Sequence, residues 1–183
     1  MIDRHETRFA LQLLRDQLGQ RVYPVHRLDK PTSGVLLFAL SAEIARLIST
    51  QFSERKVKKT YCLVVRGYCP EHGLIDHPLT EQQDKITDKL SRKDKPPQAA
   101  ITRYKRLATI EIPFAVDRYP QARYSLVEAY PETGRKHQIR RHFKHIAHPI
   151  IGDAKHGKGN HNRFFQQQYQ CHRLLLACTK MEI

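Results

Sequence analysis

Ala10, Leu11, Leu14 and Leu18 recur at three- and four-residue intervals, which predicts a helix that Gly19 stops. Asp3 and Glu6 ahead of it have capping-box spacing, with Asp in place of Ser or Thr. An extended piece then runs from Arg21 to Asp29 and enters a turn at Lys30-Pro31-Thr32-Ser33-Gly34. The continuous apolar run Val35–Leu40 predicts a buried strand. Ser41 stands where it would cap a second helix, whose Ile44, Ala45, Ile48 and Phe52 share one face. β-branched and aromatic content predicts a strand over Tyr61–Gly67, and further strands over Ile101–Ile112 and Arg123–Tyr130. Ile139, Phe143 and Ile146 form the apolar stripe of a helix from Lys136 to Ile146, which Pro149 ends. Leu174-Leu175-Leu176-Ala177 reads as a last buried strand. Pro70, Gly73, Pro78, Pro96 and Pro97 break residues 69–98, which read as a loop or insertion. No repeat is present. Strands and helices that interleave without a regular βαβ alternation predict an α+β fold, with a mixed, largely antiparallel sheet and flanking helices.

Composition adds bounds. A chain of 183 residues with 40% hydrophobic content can build one core, so residues 1–183 are expected to form one domain. No apolar run reaches the roughly 18 residues of a membrane span, and the charged start Met1–Glu6 lacks the apolar stretch of a signal peptide. Cys62, Cys69, Cys171 and Cys178 make no Cys-x-x-Cys pair, which suits a reducing, cytoplasmic setting. The net charge of +14 calls for an anionic partner, nucleic acid ahead of an acidic membrane surface. Half of that charge falls between Arg135 and Arg163, where Asp153 is the single acid among eight Lys or Arg residues. Such concentration is expected of a surface that binds a phosphate backbone.

One acid stands out in this basic chain. Asp29 lies in His26-Arg27-Leu28-Asp29-Lys30-Pro31-Thr32-Ser33-Gly34, where an extended segment ends in a tight turn. Its residue type fits two roles. It can cap the turn, or it can serve as a nucleophile or base if a cation holds it ionised.

The run His26-Arg27-Leu28-Asp29-x-x-Thr32-Ser33-Gly34 resembles the signature of the RluA family of pseudouridine synthases. Lys59-Thr60-Tyr61 is similar to that family's Lys-x-Tyr strand. Gly134-Arg135-Lys136-His137-Gln138-Ile139-Arg140, followed by His148-Pro149-Ile150-Ile151-Gly152-Asp153, extends the resemblance. Within the family, the chain is most similar to members that act on uridine 65 in the T-stem of tRNA.

The resemblance implies an isomerase that converts a uridine of RNA to pseudouridine without cofactor or metal. Asp29 would be the catalytic aspartate, Arg140 its partner, and Tyr61 the platform on which the uracil stacks. Arg27 would fill or hold open the space left by the flipped nucleotide, and Arg135, Lys136, Arg141 and Lys144 would contact phosphates. His142, His145 and His148 are spaced by three but progress around the helix with no Cys nearby, so they read as further phosphate donors rather than a zinc site. The alternatives are a ribosomal RNA synthase of the same family and a non-catalytic, basic RNA-binding fragment. Family members carry strands before the first helix and more structure after the last strand. The chain is therefore expected to be the middle of the family's domain, truncated at both ends and open to self-association through exposed strand edges.

Overall fold

The computed structural model describes residues 9–81 and 96–183. The capping pair Asp3 and Glu6 lies outside them. Helix α1 (Ala10–Leu18) ends at Gly19, whose φ of 64° is the left-handed stop that glycine supplies without strain. Strand β1 (Tyr23–Pro24) leads to the turn that carries Asp29. Strand β2 (Ser33–Gly34) follows, then β3 (Phe38–Ala39), which pairs with β1 in a small antiparallel ribbon. Helix α2 (Ala42–Ser53) starts at Ser41, whose side chain accepts from the Ile44 amide at 3.2 Å.

The main sheet is built from strands β4 (Lys58–Arg66), β5 (His72–Asp76), β6 (Ile101–Ile112), β7 (Ala122–Pro131) and β8 (Leu176–Glu182), together with β2. Its order is β2-β8-β4-β7-β6-β5. Among the described residues only the β2–β8 pair is parallel, so the sheet is mixed and largely antiparallel, in keeping with the α+β reading. Helices α3 (Gln138–His145) and α4 (Gly159–Tyr169) complete the fold. No helix among the described residues is long and apolar enough to cross a membrane.

Strand alternation sorts the core into two groups. Leu63, Val65, Val127, Ala129 and Leu176 gather with Ile139 and Phe143 of α3. Ala122 and Tyr124 cluster instead with Ile151 and with Phe164 of α4. Val64, Phe165 and Leu175 are partly buried against that second group.

Several expectations are corrected here. Of the expected loop or insertion over 69–98, residues 82–95 lie outside the described residues, and the part before them contains β5, which pairs with β6 from His72↔Lys105 to Asp76↔Ile101. Gly73 is tolerated inside it because the Tyr104 ring of β6 lies over the glycine, where a Cβ would collide with it. Val35–Leu40 is strand only at Phe38–Ala39, where Ala39 is buried. Leu37 gives its amide to His26 Nε2 at 2.8 Å rather than to a sheet partner, and both Val35 and Leu40 are exposed. The last strand begins two residues later than the apolar run, at Leu176, and extends to Glu182. It is flanked by β4 along its length and by β2 at Ala177 and Cys178, so that part of it is no sheet edge. α4 was not expected at all, since Gly159, Asn160 and Asn162 are poor helix formers.

Gly34 lies where the segment after the Asp29 turn meets the last strand. Its φ is 109°, and a Cβ there would collide with the backbone of Cys178. Gly34→Ala is expected to destabilise the protein by roughly 2 kcal/mol or more, read as a lowered urea midpoint.

Candidate active site

A cleft of about 850 Å³ opens between the Asp29 turn, the start of β4 and the segment from Pro131 to Arg140. Asp29 is held by its own turn, in which the Thr32 amide donates to the Asp29 carbonyl at 2.8 Å. Its carboxylate is 23% exposed toward the cleft. Arg140, one turn into α3, brings Nη1 to 3.3 Å from Asp29 Oδ2. The structure thus joins these two residues across 111 positions of sequence.

Arg140 has a second and tighter partner. Its Nε and Nη2 donate to Asp153 Oδ2 and Oδ1 at 2.8 and 2.9 Å, a fork-to-carboxylate match. The Arg140 and Asp153 side chains are 5% and 0% exposed. Asp153 Oδ1 also accepts the amides of Lys155 and His156, each at 2.9 Å. Burial pushes the Asp153 carboxyl up, but Arg140 and these amides outweigh it and hold the group below the usual carboxylate range. Asp153 therefore neutralises Arg140, while the remaining Nη1 orients Asp29. The turn that presents Asp153 is clamped by α4. Asn162 accepts from the Gly152 amide at 2.8 Å and donates to the Asp153 carbonyl at 3.0 Å.

The start of α3 is fixed by Gln138. Its Oε1 accepts from the Thr133 hydroxyl at 2.7 Å and the Arg135 amide at 3.0 Å. Its Nε2 donates to the Ile101 carbonyl at 2.9 Å and to Thr102 Oγ1 at 3.0 Å. All the bonds expected of an amide side chain are made.

Tyr61 lies on β4 in the cleft wall, beside a register shift between Thr60 and Tyr61. A bulge at this point re-aims a side chain relative to its strand. Burial, the nearby Cys178 thiol and Asp29 all push the Tyr61 phenol up, so it is neutral at physiological pH.

The expected phosphate contacts divide. Arg27, Arg135 and Lys136 line the cleft, and Arg27 is exposed. Arg141 and Lys144 do not line it. Arg141 Nη1 donates to the Thr80 carbonyl at 2.9 Å, while Lys144 is exposed. Arg55 and Lys59 line the cleft as well and were missed, as were Asp153, His137 and Gln138. The signal for Asp153 was present, since it is the lone acid in a strongly basic window. No comparable signal marked Arg55.

The histidines do not form a phosphate face. His142 is fully buried, with Nε2 donating to the His77 carbonyl at 3.1 Å and Nδ1 accepting from Thr102 at 2.9 Å. His148 Nδ1 donates to the Arg66 carbonyl at 2.9 Å. Only His145 of the three is exposed, and its ring stacks on His77. Packing against the sheet requires this, because the helix face that carries Ile139 and Phe143 also carries His142. Among the described residues no three His, Cys, Asp or Glu side chains are grouped to hold a metal ion.

The comparisons with known proteins agree with one another. The family model for RNA pseudouridylate synthase matches residues 2–145. A tRNA pseudouridine synthase C of Pectobacterium carotovorum subsp. carotovorum is 54% identical over 182 residues, which are 100% of this chain and 48% of that protein. The tRNA pseudouridine synthase C of Vibrio parahaemolyticus is 50% identical over 180 residues, covering 98% of this chain and 73% of its own length. The chain thus spans about half of the first relative and about three quarters of the second. Among solved structures, human RNA pseudouridylate synthase domain containing 1 aligns with a TM-score of 0.71 at 25% identity, over 92% of this chain and 66% of that one.

Two outcomes are expected from this geometry. Asp153→Ala leaves a buried guanidinium without its main partner and should cost about 3–5 kcal/mol, whereas Asp29→Ala should change stability by about 1 kcal/mol or less. Urea denaturation of the two variants compares them. The second concerns acid. Burial lowers His142 to about 4, and His156 also to about 4. The unfolded chain protonates these rings near pH 6.5, so between about 6.5 and 4 it binds protons that the folded chain does not. Stability should therefore fall with pH across that window, by about 1.4 kcal/mol per unit for each ring. His142→Gln should flatten the slope of urea midpoint against pH.

Proposed function

The chain belongs to the RNA pseudouridylate synthase family, and on that premise we propose that it isomerises a uridine of tRNA to pseudouridine with Asp29 as the catalytic carboxylate. The observation that carries this reading is a partly exposed carboxylate at a cleft, oriented by a guanidinium that another acid already neutralises. Its finer form takes uridine 65 as the target.

The reaction breaks the bond between uracil N1 and the ribose, rotates the base, and forms a new bond from ribose C1′ to C5. A proton leaves C5 and N1 ends protonated, so nothing is gained or lost overall. A carboxylate has three ways to start this: attack on the sugar, attack on the base, or removal of a ribose proton. All three need it ionised. Arg140 supplies a donor to one oxygen through Nη1, while its Nε and Nη2 are taken by Asp153. Tyr61, neutral and flat, offers a ring on which the extruded uracil can stack. Arg27 at the exposed rim is suited to take the place of the base in its helix.

Among the described residues six cations line the cleft, namely Arg27, Arg55, Lys59, Arg135, Lys136 and Arg140, against three acids. That imbalance supports an RNA backbone as partner. A groove that only binds phosphate has no use for an oriented acid, and this favours the catalytic reading over a binding fragment. Cytoplasmic work and self-association through open strand edges, such as that of β5, belong to the same proposal.

Asp29→Asn should eliminate pseudouridine formation while leaving tRNA affinity within about threefold of wild type, because amide and acid share a shape but only the acid ionises. Chemical mapping of pseudouridine in tRNA after incubation with each protein measures the first part, and filter binding the second. Turnover by the Asn variant would remove Asp29 from the mechanism.

A further inference from the structure

His137 connects the cleft to the interior. It precedes α3 with a φ of 56°, a left-handed conformation unusual for a residue other than glycine. Its Nε2 lies 4.0 Å from Asp29 Oδ1. Its Nδ1 lies 3.1 Å from Nε2 of His156, and the two rings meet edge to face at 76°. His156 is buried, and its backbone amide is anchored on Asp153.

Two neutral imidazoles in this arrangement share one proton across their contact. If His137 Nδ1 carries it, His137 Nε2 turns a lone pair toward the Asp29 carboxylate, and the contact is repulsive. If His156 Nε2 carries it, His137 holds its own proton on Nε2, and an N–H faces Asp29 Oδ1. The charged groups around the pair are Asp29 and Asp153 on one side of the balance and Arg140, Lys136 and Lys155 on the other. Burial, helped by these cations, holds both rings below the usual histidine range, so the neutral pair is the state at neutral pH.

We propose that His137 is a positioning residue for Asp29, and that His156 sets its tautomer so that Nε2–H faces the carboxylate. Arg140 then holds Oδ2 and His137 holds Oδ1, and the carboxylate cannot rotate about its own axis. Contacts of this kind are commonly long before substrate arrives and shorten in the complex. Only the turnover arm of the test rests on the proposed function.

Two substitutions separate positioning from backbone support. A Gln at 137 can place an amide N–H near the position of Nε2, whereas an Asn places it near Nδ1. Asn tolerates the left-handed backbone better than Gln, so a structural role alone ranks Asn above Gln. The expected result is the reverse in turnover. His137→Gln should stay within about threefold of wild type, and His137→Asn should lose about tenfold or more in kcat with little change in KM for tRNA. Thermal midpoints should rank Asn equal to or above Gln. Equal turnover in the two variants, or Asn above Gln, would overturn the proposal. Independently, nitrogen-15 spectra of the imidazoles in the wild-type chain at neutral pH should show His137 protonated at Nε2 and unprotonated at Nδ1. The opposite tautomer would overturn it whatever the turnover. A wild-type chain that makes no pseudouridine would count against the proposed function, and the tautomer would still decide this inference.

Discussion

The structure depends on a permanent charge placed where water does not reach. An arginine cannot shed its proton, so the 5% exposure of Arg140 would be ruinous without compensation. Asp153 supplies it with two parallel hydrogen bonds. Much of the neighbouring architecture serves to keep that acid in place. The Lys155 and His156 amides satisfy it, Asn162 ties down its turn, and α4 carries Asn162. Phe164 and Phe165 pack α4 against Tyr124 and Ile151, which offsets the weak helix propensity of its first turn. A helix that does not line the cleft is in this way part of the support for the group that orients Asp29.

The second support is neutral. Gln138, Thr133, Thr102 and His142 form one hydrogen-bond network between α3, β6 and the segment after β7. Every polar atom in it has a defined role as donor or acceptor, so the start of α3 has one rotational setting. His137 and Arg140, which approach the Asp29 carboxylate to 4.0 and 3.3 Å, stand immediately before Gln138 and two positions after it. Their placement is inherited from a glutamine that itself does not touch the carboxylate.

The sequence was most legible where local periodicity and burial agree. β6 matches its expected bounds, β7 differs from its own by one residue at each end, and α2 begins at the cap that Ser41 announces. It was least legible where long-range pairing decides. Val35–Leu40 looks like core, yet His26 captures one of its amides and the run is left half outside. β5 hides among prolines because its partner, β6, lies well downstream. The Asp29–Arg140 contact was read from motif resemblance, and the distance agrees with it. Asp153 was visible only as an isolated acid, and its dominance over Arg140 comes from burial that no local pattern records. The histidines misled for the same reason. Spacing placed His142 on a helix, but not on the face that turns inward.

The parallel pairing of β2 with β8 couples Ser33 to Ala177 and Gly34 to Cys178, while Asp29 sits only a few residues before β2. β2, which ties the turn that bears the acid to the main sheet, therefore has no partner there until a strand far along the chain has docked. Loop-closure entropy makes such contacts slow to form, so the placement of Asp29 against Arg140 belongs to the late stages of folding. A partly folded chain displays the cations of the cleft without an oriented acid among them. Charge and geometry are thus separated in time, with the geometry reserved for the folded molecule.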